Sequence, residues 1–226
     1  MSIDKIIKRI DSGIDEDIIQ GASFDQFKDF TKINDALIVF SEDVIKTIIM
    51  MLNDTKNNLR ENGCFLYGKE ITNNYIIVDE IGEPFLRDTT QVEVTEDHVH
   101  EMVEKANLYD GYNRLHDVII DFHTHPRLDD YGYKPDKMSD QDLYRYGVLQ
   151  KYHQHNTDEP TYYLGMLAST SNNGFKISCV FYEDKLKKFF SIPNFYCQDG
   201  NEIKRIINED FNLKNLDDSD KILLKR

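Results

Sequence analysis

Apolar residues change their period several times along the chain, and each change marks an element. ALIVF (36–40) is a continuous apolar run, and SEDVIKTIIMMLNDTKNNLRENG after it carries apolar residues at 44, 45, 48, 52 and 59. This predicts a strand, then an amphipathic helix with Ser41 as its cap, acidic residues in its first turn and an end near Gly63. CFLYG (64–68) and YIIVDEI (75–81) are rich in β-branched and aromatic residues, so KEITNN between them predicts a hairpin. QVEV (91–94) alternates, and TEDHVHEMVEKANLY then offers Thr95 as a cap with Val99, Met102, Val103 and Ala106 on one helical face. DVIIDF (117–122) is apolar almost throughout, the pattern of a strand buried on both faces. A helix starting at Ser139, strands at 161–169 and 175–183, and a helix over NEIKRIINEDF complete the reading, with short helices at 4–10 and 24–30 ahead of it.

Helices separated by short strands of mixed pattern indicate an α/β or α+β core around one central sheet. Residues 1–34 lack a strong period and read as an N-terminal appendage. Residues 35–190 form the expected core domain and 191–226 a C-terminal helical extension. No internal repeat or low-complexity segment interrupts this organisation.

Composition narrows the partners. With 40% hydrophobic and 12% aromatic residues the chain can build a sizeable core, and 27 Lys plus Arg against 41 Asp plus Glu leave a net charge of −14. That charge disfavours a nucleic-acid backbone or an anionic membrane and suits a protein partner. No apolar run approaches the roughly 20 residues of a membrane span, and no apolar segment follows the N-terminal basic residues, so a soluble, cytoplasmic protein is expected. Cys64, Cys179 and Cys197 are odd in number and widely spaced, which predicts reduced thiols rather than a disulfide framework or a CxxC zinc site.

The chemistry concentrates in DFHTHPRLDDYGYKPDKMSDQD (121–142). Side chains two apart on a strand share a face, so His123 and His125 can present both imidazoles to one point, as zinc requires of its first ligands. The third ligand should be an oxygen, and Asp142 is the candidate, since the first turn of the helix starting at Ser139 can face back to the strand end. Ser139 and Asp142 also fit a capping box, which would explain them without a metal. A hydrolytic site further needs a carboxylate to take a proton, and Glu61 lies just ahead of the first hairpin strand.

Glu61 with Cys64, Leu66 and Gly68 at fixed offsets, then strands, a helix, HTHP and S-x-x-D, resembles the JAMM or MPN-plus family of zinc metalloproteases over roughly residues 36–185. The resemblance implies an α/β fold, a cytidine-deaminase-like sandwich with one central mixed sheet flanked by helices. It also implies that His123, His125 and Asp142 hold Zn2+, that Glu61 acts as general base and acid, and that Ser139 helps to stabilise the oxyanion. A protease or isopeptidase acting on a ubiquitin-like protein or its conjugate is the implied function. Twelve residues, RLDDYGYKPDKM, separate Pro126 from Ser139, more than the family usually has, which leaves Asp129, Asp130 and Asp136 as other oxygen candidates. Cys64 stands where the family usually has glycine.

Two other functions fit parts of the pattern. DFHTHP is similar to the D-x-H-x-H opening of PHP-type phosphoesterases, which need a large barrel and more histidines than remain downstream. A non-catalytic MPN-type scaffold would lack the metal ligands. Among the other histidines, His98 and His100 are expected at the helix surface, His116 in a structural role, and His153 and His155 in a surface loop after a helix.

Overall fold

Ser41 ends one element and starts the next. β1 (Thr31–Lys32) and β2 (Leu37–Phe40) precede it, and α1 (Glu42–Asn58) follows, its N-terminus closed by Val44 N–H donating to Ser41 Oγ at 3.4 Å with Glu42 and Asp43 in the first turn. The molecule is described by a computed structural model over residues 31–206, apart from 73, 88–91, 108, 111–112, 127–137, 157–161, 172–173, 184, 187 and 200–201. The helices expected at 4–10 and 24–30 lie outside the described residues. α1 stops before the expected Gly63, because Leu59 turns left-handed at φ 53° and the chain doubles back through Glu61 and Asn62.

The hairpin forms as expected but is longer. β3 (Gly63–Thr72) and β4 (Tyr75–Pro84) pair antiparallel, and most of KEITNN lies in β3, with Thr72 opposite Tyr75. β5 (Leu86–Arg87), β6 (Val92–Glu93), α2 (Glu96–Asn107), β7 (Tyr109–Asp110) and β8 (Asn113–Arg114) lead to β9 (Val118–His125), in which all eight residues are buried. α3 (Asp140–Asn156), β10 (Tyr162–Ser171), β11 (Gly174–Glu183), β12 (Lys188–Ile192), β13 (Asn194–Asp199) and β14 (Glu202–Ile206) complete the described chain. α3 extends through His153 and His155, so the expectation of a surface loop is corrected: both lie in the helix.

Among the described residues one mixed sheet of ten strands runs in the order β1-β12-β11-β10-β9-β3-β4-β2-β13-β14. The protein is therefore of the α/β class with a central mixed sheet. Among the described residues β1 and β14 stand at its ends and do not pair with each other, unlike the closed barrel that a PHP-type phosphoesterase would require. β9 sits in the interior of this order, parallel to β10 and antiparallel to β3.

Alternation along β9 divides the core in two. Val118, Ile120 and Phe122 pack with Val44, Ile48 and Leu52 of α1, while Ile119 joins Val99 and Met102 of α2 and Leu143 and Leu149 of α3 on the other face. Helices thus cover both faces of the sheet.

The helix expected from residue 201 onward is corrected: residues 202–206 form a strand. Ile203 and Ile206 stand at a helical spacing, but β13 offers an open edge, and Ile206 pairs with Phe195 and is buried while Ile203 stays exposed. Edge pairing overrides local propensity here. β1 and β13–β14 join the main sheet, so it reaches into both segments expected to be appendages. Among the described residues, no helix is long and apolar enough to cross a membrane.

Candidate metal centre

At the C-terminal end of β9 the strand period does what it predicts. His123 and His125 turn their rings to one side, with Nε2 atoms 3.0 Å apart and ring centroids 4.8 Å apart. Asp142, in the first turn of α3, brings Oδ2 to 3.5 Å from His123 Nε2 and 3.8 Å from His125 Nε2. Among the described residues, these three form a group able to hold a metal ion. Asp129, Asp130 and Asp136 lie outside the described residues.

The donor set fits a tetrahedral cation. Ligand atoms about 2.0–2.1 Å from a zinc at tetrahedral angles stand about 3.3 Å from one another. The three observed separations each lie within about half an ångström of that edge. Two neutral imidazoles and one carboxylate are also the chemistry expected of a borderline cation rather than of calcium or magnesium.

Both readings of Ser139 and Asp142 hold at once. Ser139 N–H and Oγ–H donate to Asp142 Oδ2 at 2.8 and 2.7 Å, and Asp142 N–H donates back to Ser139 Oγ at 3.1 Å, a reciprocal cap on α3. The cap aims Oδ2 at the histidines. Burial works to raise the Asp142 pKa, yet the His123 imidazole, Arg145 and the Ser139 hydroxyl outweigh it and hold the carboxyl well below the usual carboxylate range.

Glu61 stands beside the group, buried, with Oε1 3.7 Å from His125 Nε2. Its neighbour Asn62 explains its position. Thr124, between the two histidines, points to the opposite face of β9, where its Oγ1 lies 2.5 Å from Thr55 Oγ1 and accepts from Asn62 N–H at 2.9 Å. Thr124 N–H donates to Asn62 O at 2.8 Å, and Asn62 Nδ2 donates to Thr55 Oγ1 at 2.7 Å and Asp54 Oδ2 at 3.1 Å. This buried clamp ties the Glu61 segment to the ligand strand and to the last turns of α1.

On the ligand face, α3 adds two residues that the sequence reading did not single out. Asp142, Arg145 and Tyr146 are at i, i+3 and i+4, one helical face. Arg145 forms an ion pair with Asp121 through Nε and Nη2, each 2.9 Å from a carboxylate oxygen, and Tyr163 O–H donates to Asp121 Oδ2 at 2.7 Å. Burial opposes the charge on Arg145, but Asp121 more than compensates and raises its pKa. Tyr146 Oη lies 2.9 Å from His123 Nδ1. Asp121 shares the i, i+2 face of β9 with His123, the one signal in the sequence that could have pointed to it.

Cys64 faces the α1 core beside Phe122 and is no part of the centre. Burial pushes its thiol pKa up. His98, expected at the surface, is buried: Thr95 N–H donates to its Nδ1 at 3.0 Å, and its Nε2 lies 3.0 Å from Pro84 O. His100 is exposed as expected. His116 is buried with Nε2 2.9 Å from Glu80 Oε2, a structural position.

No protein-family model matches the chain, and no curated protein matches it. The likeness to the JAMM family therefore rests on this constellation of residues.

Proposed function

We propose that the protein is a JAMM-like zinc metalloprotease, on a cytidine-deaminase-like sandwich, that cleaves a peptide or isopeptide bond to release a ubiquitin-like protein. The observation that carries this reading is the position of Asp142 Oδ2, 3.5 and 3.8 Å from the two Nε2 atoms in spite of the long segment between Pro126 and Ser139. A ligand set of two imidazoles and one carboxylate leaves one tetrahedral position for substrate or water, the mark of a catalytic rather than a structural zinc. The acidic surface expected from a net charge of −14 suits a basic or neutral protein substrate.

In this reading His123, His125 and Asp142 hold the ion, and zinc when bound supplies Lewis acidity to the carbonyl and the attacking water. Glu61 supplies the proton traffic. Its carboxylate, buried beside His125, takes a proton from the water as the oxygen adds to the amide carbon. It then delivers that proton to the departing nitrogen as the C–N bond breaks, so the products are a carboxylic acid and an amine, which settle as carboxylate and ammonium by passing on the second water proton, and Glu61 returns to its starting charge. Ser139, at the head of α3, carries an exposed hydroxyl that in this reading turns from Asp142 Oδ2 to an oxyanion on the carbonyl.

Metal analysis of the purified wild type beside Asp142→Ala, after dialysis against a weak chelator, tests the centre. One zinc per chain in the wild type and its loss in the variant is the expected result. Fusions and isopeptide-linked pairs of ubiquitin-like proteins then test the activity, with Glu61→Gln retaining zinc and losing hydrolysis. Wild type without zinc would move a non-catalytic scaffold to first place, and turnover by Glu61→Gln would remove the base assignment.

A further inference from the structure

A histidine binds a metal through Nε2 only if its proton sits on Nδ1, so something on the far side of the ring must favour that tautomer. For His123 the far side is closed by one group, the hydroxyl of Tyr146, 2.9 Å from Nδ1. We propose that Tyr146, seated in a notch made by Gly165, is the positioning residue that fixes His123 as a metal ligand through Nε2. The proposal rests on the metal centre described above and adds two residues to it that do not touch the ion.

The seat is specific to a ring at this depth. A Cβ on Gly165 would stand 2.1 Å from Tyr146 Cδ2 and Cε2, so any larger residue there would collide with the body of the ring rather than with a flexible tip. Gly165 pairs directly with Asp121 in the parallel β9–β10 register, and Asp121 anchors Arg145, whose guanidinium lies 5.5 Å from the Tyr146 ring centroid. The ring is thus bounded by β10 on one side and a fixed cation on another. Phenylalanine would fill this space equally well. The hydroxyl adds an acceptor where a His123 that binds metal through Nε2 would present its Nδ1–H, and outer partners of this kind fix ring orientation and raise ligand basicity.

Zinc affinity of the full chain, measured by competition with a fluorescent chelator, tests this on wild type, Tyr146→Phe, Gly165→Ala and His123→Ala. Tyr146→Phe should weaken binding about 10- to 100-fold. The same variant keeps the packing but leaves a buried His123 ring nitrogen without its partner, so the thermal midpoint of the metal-free protein should fall by about 2–12 °C with the fold retained. In the zinc-loaded wild type the His123 Nδ1–H should give a downfield proton resonance protected from solvent exchange. That protection should be lost in Tyr146→Phe, a change that a packing role would not produce. Gly165→Ala should lose affinity to a similar degree, and Tyr146→Phe keeps the test decisive if that variant does not fold. If wild type binds zinc through His123 and Tyr146→Phe binds within about twofold of it, the inference falls while the centre stands. If His123→Ala binds as wild type does, both fall.

Discussion

Replacing Thr124 by valine keeps the shape of the side chain and removes one oxygen from the centre of the buried clamp. Thr124, Thr55 and Asn62 are all at most 1% exposed, so bulk solvent does not reach the group left behind. Thr124 Oγ1 lies 2.5 Å from Thr55 Oγ1, accepts from Asn62 N–H at 2.9 Å and donates to Asn62 O at 3.3 Å. Thr55 keeps a partner in Asn62 Nδ2, and Asn62 O keeps Thr124 N–H, but Asn62 N–H is left buried without an acceptor. An orphaned buried donor costs about 1–3 kcal/mol and a lost hydrogen bond about 1 kcal/mol, so Thr124→Val should cost about 2–4 kcal/mol. For a domain of this size that lowers the thermal midpoint by about 4–16 °C. Thr124→Ser retains the hydroxyl and loses one buried methyl, at about 1 kcal/mol. Denaturant unfolding of the metal-free protein measures both. Because Asn62 carries Glu61 with it, Thr124→Val should also lower turnover more than zinc affinity. Valine within about 0.5 kcal/mol of wild type, or valine and serine equally destabilised, would refute the clamp.

Ser139→Ala removes the α3 cap and should cost about 1 kcal/mol of stability while weakening zinc binding, since Asp142 Oδ2 loses the hydroxyl that aims it. A fall in turnover with stability and zinc affinity unchanged would assign Ser139 to the oxyanion alone. The His116 pKa is lowered by burial, which outweighs the pull of Asp79, so the native imidazole, its Nε2 2.9 Å from Glu80 Oε2, takes up a second proton at lower pH than in the unfolded chain. The unfolded chain then binds the extra proton first: stability is intact above about 6.5 and is lost as pH falls from there through the lower native value. His116→Asn should therefore show a smaller drop in thermal midpoint between about pH 7 and pH 5 than wild type, and equal drops would count against it. Cys64, Cys179 and Cys197 are buried thiols outside any disulfide, and burial raises the thiol pKa of the first two, so a thiol reagent should label none of them before unfolding. Fast labelling of the native protein would contradict the packing.

β9 shows why some of this could be read from sequence and some could not. Its apolar run announced a buried strand, and the period of two announced that His123 and His125 share a face; both are local facts, carried by the backbone of a few residues. Ser139 and Asp142 were equally local, four residues that close a helix. Which carboxylate met the histidines was not local, because it depends on the rotation of α3 against the sheet. That rotation is set by the Arg145–Asp121 ion pair across β9 and by Tyr146 against Gly165 of β10, contacts between residues about twenty positions apart. The same holds for His98, whose acceptor at Pro84 arrives through the hairpin, and for residues 202–206, where a free edge of β13 decides against a helix. Thr124 is the clearest case. Read along the chain it is a spacer between two ligands, and its own function appears only when α1 and the Glu61 turn are packed behind the strand. Odd positions of β9 hold the proposed metal ligands and their anchor, and the even position between the histidines holds the segment that carries the base. Strand alternation thus couples the two halves of the proposed chemistry, and a one-residue slip of β9 against β3 would lose both together.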